Sequence, residues 1–229
     1  MASPLRIISS MATRQLLTEL VERYRRDAGV EVALESVGGV DAARRVEAGE
    51  AFDAVILASN AIDKLVASGH VVAGSRVDLV KSGVAVAVRE GAPVPDIGSE
   101  EAVRQAVQAA RTLSYSTGPS GVYLAKLFER WGLADEIQGR IVQAPPGVPV
   151  GSLVARGEVE LGFQQLSELL NLPGIRVVGP LPEAIQVVTL FSAGLAATSQ
   201  QPQAVRALVD FLASPEAAAI KRGQGMEPA

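Results

Sequence analysis

The sequence predicts an α/β fold built from two units. Three times in the first 70 residues, an apolar run ends in small residues and a helical pattern begins. This alternation is typical of parallel strands covered by helices. Two long apolar segments, 76–88 and 185–197, flank the middle of the chain. Because each is longer than an ordinary strand, we interpret both as crossings between the two units.

The crossings set the predicted domain boundaries. Lobe 1 comprises residues 1–81 and 190–229, and lobe 2 comprises residues 85–187. The hinge is expected at about 82–84 and 188–189, where the chain passes from one lobe to the other. Lobe 1 is therefore discontinuous in sequence.

The first strand-to-helix junction spans residues 5–17. An apolar run at 5–8 predicts a buried strand, and the helix after it carries an apolar stripe at Leu16, Leu17, Leu20, Val21 and Tyr24. Ser9 and Ser10 stand between them, and either hydroxyl can cap a helix. A helix start attracts an anion, and Arg14 lies within about a turn. The alternative is that Ser10 only caps and that Arg14 only faces solvent.

The next two junctions repeat this arrangement. Strands at 30–37 and 52–57 precede helices at 40–48 and 61–68. Gly38-Gly39 follows the second strand and allows a close approach of the backbone to a ligand. Ala58-Ser59-Asn60 follows the third strand. Ligands on parallel sheets bind at the carboxyl ends of the strands, where these junctions meet.

The second lobe begins with a loop at 92–98 and a helix at 99–110 that Ser99 caps. A short strand at 112–116 leads into a loop of hydroxyls, Gly and Pro, and Ser120 opens a helix that reaches Trp131. Residues 118–120 begin like the nucleophile elbow of hydrolases, but Val122 stands where that motif needs glycine. Ser120 is therefore either a helix cap or a ligand contact.

The remaining elements complete the chain. A loop at 143–149 precedes a helix at 150–156, a strand at 159–163 and a strand at 175–178. Gln164 and Gln165 end the first of these strands, where their amides either satisfy buried backbone or face a ligand. Terminal helices are predicted at 202–212 and 215–222, each with Pro in its first turn.

Composition excludes several classes of function. A net charge of −4 and only 4% aromatic residues argue against nucleic-acid binding. The chain has no Cys and a single His, His70, so a metal site of Cys and His ligands is excluded and no cofactor is expected. We expect His70 to be a solvated residue at a helix end, since no catalytic partner is visible.

No segment approaches the roughly 20 apolar residues of a membrane span, so membrane insertion is not expected. The first residues also lack the charged and apolar regions of a signal peptide. Either the protein stays in the cytoplasm or the sequence begins at the mature end.

Several short segments resemble the type II periplasmic binding proteins, most closely the molybdate-binding group. They are 8–12, 45–49, 52–55, 119–126, 157–162 and 179–183, and their order and spacing cover nearly the whole chain. The resemblance implies a two-lobed fold of mixed sheets flanked by helices, with two crossover strands as a hinge. It also implies a periplasmic, monomeric solute-binding protein that holds a small anion in the cleft for an ABC transporter permease.

The resemblance carries over to individual residues. Ser10 matches the ligand serine of the first strand, Ser120 matches a backbone donor, and Val150 lies near another. Two features depart from molybdate binders: Val37-Gly38-Gly39-Val40 replaces a serine-rich junction, and Gln164-Gln165 replaces a ligand tyrosine. An organic carboxylate held by Arg14 therefore fits at least as well as an oxyanion. The predicted ligand-binding residues are Ser9, Ser10, Met11, Arg14, Gly38, Gly39, Val40, Ser59, Ser116, Ser120, Gly121, Val150, Gln164 and Gln165.

An enzymatic alternative stays open, because an aconitate isomerase is similar to this family. Moving an allylic proton needs a positioned base and acid, and Asp41, Tyr123 and Glu168 lie near the predicted junctions. Each is also compatible with a solvated or helix-start role. A cytoplasmic ligand-sensing domain is a third possibility, although no DNA-binding segment supports it.

Overall fold

Strands and helices alternate through most of the chain. A computed structural model describes residues 3–145 and 147–229. The strands are β1 (Leu5–Ser10), β2 (Val32–Val37), β3 (Ala54–Ala58), β4 (Val77–Arg89), β5 (Leu113–Tyr115), β6 (Leu161–Gln165), β7 (Ile175–Pro180), β8 (Val188–Leu195) and β9 (Glu227–Pro228). The α-helices are α1 (Arg14–Ala28), α2 (Gly39–Glu47), α3 (Ser59–Ala67), α4 (Glu100–Ala109), α5 (Pro119–Arg130), α6 (Ala134–Ile137), α7 (Val150–Ala155), α8 (Leu166–Leu169), α9 (Pro202–Ala213) and α10 (Ala218–Gly223).

The described chain divides into two compact units. The first contains residues 3–82 and 189–229, and the second contains residues 83–188. Each unit has a sheet with helices packed on it. The predicted α/β class is therefore confirmed.

The first unit is built on a mixed sheet in the order β2-β1-β3-β8. Strand β1 runs parallel to β2 and β3, whereas β8 is antiparallel to β3. Successive residues of a strand face opposite sides of a sheet. Accordingly, Ile7 packs in a core with α1 and α9, and Ile8 packs in a second core with α2 and α3. This sandwich fixes the carboxyl ends of β1, β2 and β3 at one edge.

The second unit is built around residues 83–89 of β4. Strands β6 and β7 pair with β4 in antiparallel fashion, and β5 runs parallel to β6. Its core contains Phe128 of α5 and Phe163 of β6, whose ring centroids are 5.9 Å apart. Helix α7 lies close to β6, because a Cβ on Gly162 would lie 2.6 Å from a methyl carbon of Val154.

The structure corrects several predicted boundaries. Strand β1 continues through Ser9 and Ser10, and a 3₁₀ turn at Met11–Thr13 precedes α1, which begins only at Arg14. Strand β2 begins at Val32 rather than at residue 30, and α2 begins earlier than predicted, at Gly39. Strand β9, which pairs with β4, was not predicted because two residues are too short to show a period.

Candidate functional site

The edge of the first unit brings several predicted residues together. Because β1, β2 and β3 are parallel, the residues that follow them share one edge of the sheet. A Cβ on Gly39 would lie only 3.7 Å from the Cβ of Ser10, so the start of α2 is adjacent to the end of β1. The N–H groups in the first turn of α2 have no partner within the helix. The predicted residues at this edge are Ser9, Ser10, Met11, Gly38, Gly39, Val40 and Ser59.

Ser9 and Ser10 have different environments. The Oγ of Ser9 lies 2.7 Å from the Oγ of Ser36 on β2, a partner that sequence reasoning missed. The Oγ of Ser10 is buried and has no hydrogen-bond partner in the described part of the chain. Neither hydroxyl caps α1, because the 3₁₀ turn intervenes and Thr13 occupies the N-cap position. The capping interpretation of these serines is therefore wrong.

Arg14 is the first residue of α1 and is exposed. Within residues 3–145 and 147–229, no carboxylate or carbonyl pairs with its guanidinium. Val40 exposes 65% of its surface at the start of α2, which places an apolar side chain at the same edge. Ligand contact by either residue stays a prediction.

The second unit has a comparable edge where β5 and β6 end in parallel. Ser116 follows β5, and its Oγ lies 3.0 Å from the Oγ of the buried Ser120 in the first turn of α5. Gly118, not Ser120, is the N-cap residue. A Cβ on Gly121 would lie 1.5 Å from the Ser116 carbonyl oxygen, so only glycine permits this close contact between helix and loop.

The end of β6 carries a chain of polar contacts. The N–H of Gly151, next to Val150 at the start of α7, donates to Oε1 of Gln164 at 3.2 Å. The Nε2 of Gln164 then donates to Oε1 of Glu168 at 2.8 Å. Gln164 thus satisfies buried backbone, one of the two roles predicted for it. Gln165 is also buried at the end of this strand.

Glu168 has an altered acidity. Its side chain is only partly exposed, and burial raises its pKa to about 7, while the hydrogen bond from Gln164 acts in the opposite direction. A carboxyl group with a pKa near neutrality can both accept and release a proton. The four-residue separation of Gln164 and Glu168 is a signal that sequence reasoning did not use.

The other candidate titratable residues have protein partners. Asp41 pairs with Arg44 one turn later in α2, and the hydroxyl of Tyr123 donates to the carbonyl oxygen of Ile185 at 3.1 Å. His70 lies beyond the end of α3, where its Nδ1 is 2.9 Å from the Oγ of Ser68. In the described ranges, no three His, Asp or Glu side chains form a group that could hold a metal ion.

Comparison with known proteins assigns the family. A family model described as bacterial extracellular solute-binding protein matches residues 5–227. The chain belongs to this family. The predicted resemblance to solute-binding proteins is therefore confirmed.

Two relatives of this solute-binding protein are known under different functions. An aconitate isomerase of a Pseudomonas species is 42% identical, over 98% of this chain and 87% of the relative. The molybdate-binding protein of Azotobacter vinelandii is 24% identical, over 91% of this chain and 84% of the relative. Both matches extend across the two units.

A solved structure of the periplasmic molybdate-binding protein of Azotobacter vinelandii has the same fold. It superposes with a TM-score of 0.81 at 20% identity, covering 97% of this chain and 98% of that one. In the described portion of this solute-binding protein, no helix combines the length and apolar character that crossing a bilayer requires.

Proposed function

We propose that the chain binds aconitate and interconverts its cis and trans isomers. The observation that carries the proposal is the 42% identity, over 98% of this chain, with an aconitate isomerase. Identity with the molybdate-binding relative is much lower, at 24%. Isomerisation of this substrate moves one proton along an allylic system and needs no oxidant.

The edge of the first unit supports a carboxylate ligand. Buried polar groups in native proteins are nearly always hydrogen-bonded, so the hydroxyl of Ser10 needs an acceptor that the described residues do not supply. A carboxylate would accept from this hydroxyl and from the free N–H groups at the start of α2. The guanidinium of Arg14, which pairs with no carboxylate among the described residues, would add a bidentate ion pair with the ligand.

The same edge also favours a ligand with a carbon skeleton. Val40 is largely exposed at the start of α2. An apolar side chain cannot donate a hydrogen bond to a tetrahedral oxyanion, but it can contact the methylene and vinyl carbons of aconitate.

A second candidate is a carrier that binds the same anion without converting it. The family description, an extracellular solute-binding protein, favours this function. Such a carrier would deliver its ligand to an ABC transporter permease. Both candidates require binding, and only the isomerase requires proton transfer.

One experiment separates these functions. Purified protein is incubated with cis-aconitate, and conversion is followed by proton NMR, while calorimetry measures the binding of cis-aconitate, trans-aconitate, citrate, sulfate, phosphate and molybdate. We expect catalytic conversion of aconitate. Binding without conversion would favour the carrier, and tight molybdate binding with no carboxylate binding would contradict both.

A further inference from the structure

The structure separates the three candidate proton-transferring residues. The carboxylate of Asp41 is engaged by Arg44, and the hydroxyl of Tyr123 is engaged by a backbone carbonyl. Glu168 is different, because only one of its oxygens, Oε1, accepts a hydrogen bond within the described chain. Its Oε2 accepts no hydrogen bond from the described residues.

The position of Glu168 is set by buried polar contacts. Gln164 is 4% exposed, and its amide is oriented by the N–H of Gly151. That orientation directs Nε2 toward Glu168 and holds one carboxylate oxygen in place. An amide so constrained can position a base within the small tolerance that catalysis demands.

The surroundings of Glu168 are low in charge. Strand β6 and helix α7 carry no ionisable residue, and the only one on β7, Arg176, is exposed. Burial therefore dominates, and it raises the pKa of Glu168 to about 7. A base of this strength is well matched to proton transfer near neutral pH.

We propose that Glu168 is the catalytic residue that removes and returns the allylic proton of aconitate, and that Gln164 is its positioning residue. This proposal rests on the proposed isomerase function. The C–H bond of the substrate methylene breaks, its proton moves to Oε2, and its electron pair delocalises over the allylic carbons. The proton on Oε2 exchanges with solvent, and a proton is then added from Oε2 to the former vinylic carbon. The double bond moves by one position, and no co-reactant is consumed.

Glu168→Gln tests the catalytic assignment, because it keeps the shape and abolishes proton exchange. We expect the isomerisation rate to fall by about a hundredfold or more, while the Kd for trans-aconitate stays within a few-fold of the parent value. In deuterated water the parent protein should place deuterium in the product, and the variant should not. The matched control is Glu183→Gln, which removes an exposed carboxylate from the same unit.

Gln164→Leu tests the positioning role. The hydrogen bond from Gln164 lowers the pKa of Glu168, so its removal should raise that pKa. The rise in rate with pH that accompanies deprotonation of Glu168 should then occur at higher pH. If Gln164 had a purely structural role, the variant would lose rate but the pH at which the rate rises would not change. Glu168→Asp keeps the carboxyl group but shortens the side chain by one methylene, so it should lose about a hundredfold in rate. It replaces Glu168→Gln as the test if that variant does not fold.

The outcomes distinguish the two levels of the proposal. A parent protein that binds aconitate without converting it overturns the isomerase function, and the role of Glu168 with it. An active parent with an equally active Glu168→Gln variant overturns only the role of Glu168. Loss of aconitate binding in parallel with the rate would also overturn it, because Glu168 would then be a binding or structural residue.

Discussion

At the scale of single residues, adjacent serines at the end of β1 have separate tasks. The hydroxyl of Ser9 joins β1 to β2 through Ser36, so it contributes to the sheet. The hydroxyl of Ser10 is buried without such a contact, next to the start of α2. Removing Ser9 should therefore cost stability, whereas removing Ser10 should cost binding.

Arg14 provides a direct test of the charge of the ligand. Charge-assisted hydrogen bonds contribute about 1.5–3 kcal/mol, so Arg14→Ala should weaken aconitate binding by about ten- to a hundredfold. Stability should hardly change, because no described residue pairs with the guanidinium. Arg14→Lys should recover only part of the affinity, since the planar fork is lost. Calorimetry measures all of these affinities.

Arg26→Ala is the matched control for Arg14. It removes an exposed arginine from the last turn of the same helix and changes the net charge equally. If both variants bind aconitate as tightly as the parent, Arg14 is a surface residue and the carboxylate proposal loses this support. Equal weakening in both would indicate an unspecific effect of net charge.

At the scale of secondary-structure elements, Gln186 anchors the end of the second unit to β4. Its Oε1 accepts from the N–H of Val84 at 2.8 Å, and its Nε2 donates to the carbonyl oxygens of Val84 and Leu181. A Cβ on Gly83 would lie 3.1 Å from this amide, so the strand and the side chain are closely packed. The side chain of Gln186 thus bonds to backbone groups in the way that a neighbouring strand would.

Gln186→Leu should destabilise the protein by about 2–4 kcal/mol, because the N–H of Val84 and the carbonyl of Leu181 each lose a partner. Urea unfolding measures the change. Gln203→Leu is the control, since Gln203 is exposed on α9 and should change stability by less than about 0.5 kcal/mol. An unfolding midpoint of Gln186→Leu equal to that of the parent would show that solvent replaces these bonds.

Strands and helices with a clear pattern of apolar residues could be predicted from sequence. Helix caps could also be predicted where the capping residue stands directly before the helix. Leu5, Ile7 and Ile8 predicted the buried strand β1, in which Ile7 and Ile8 pack in different cores. Ser99 caps α4, as predicted, by accepting from the N–H of Ala102. Contacts between distant residues left no local signal. Gln186 lies 102 positions from Val84, and the buried Lys221 donates to the carbonyl of Leu79 across 142 positions.

The candidate site was predictable to a similar degree. The carboxyl ends of parallel strands indicated which residues share an edge, because that follows from topology alone. Whether a serine hydroxyl already has a hydrogen-bond partner depends on the residue opposite it on the neighbouring strand. Ser9 and Ser10 are equivalent in sequence, and only the register that aligns Ser9 with Ser36 separates them. Likewise, the acidity of Glu168 depends on burial, which its place near a predicted junction did not reveal.

At the scale of the whole molecule, the net charge and the proposed ligand have the same sign. The chain carries a net charge of −4, which opposes the approach of a tricarboxylate. Affinity must therefore come from local groups: helix N–H groups, hydroxyls and Arg14. Because added salt screens the unfavourable net charge and the favourable ion pair alike, we expect aconitate binding to depend only weakly on ionic strength.

Binding of aconitate should also stabilise the folded chain. A ligand that binds only the native state at about 100 times its Kd adds about 2.7 kcal/mol to the free energy of unfolding. For a chain of this size, that corresponds to a rise in Tm of about 5–11 °C. The uncharged trimethyl ester of aconitate keeps the carbon skeleton and loses all three charges, so it should produce no shift at equal concentration. Differential scanning calorimetry compares the two. An equal shift with the ester would show that apolar contacts, such as those offered by Val40, hold the ligand without the anion-binding groups of β1 and α2.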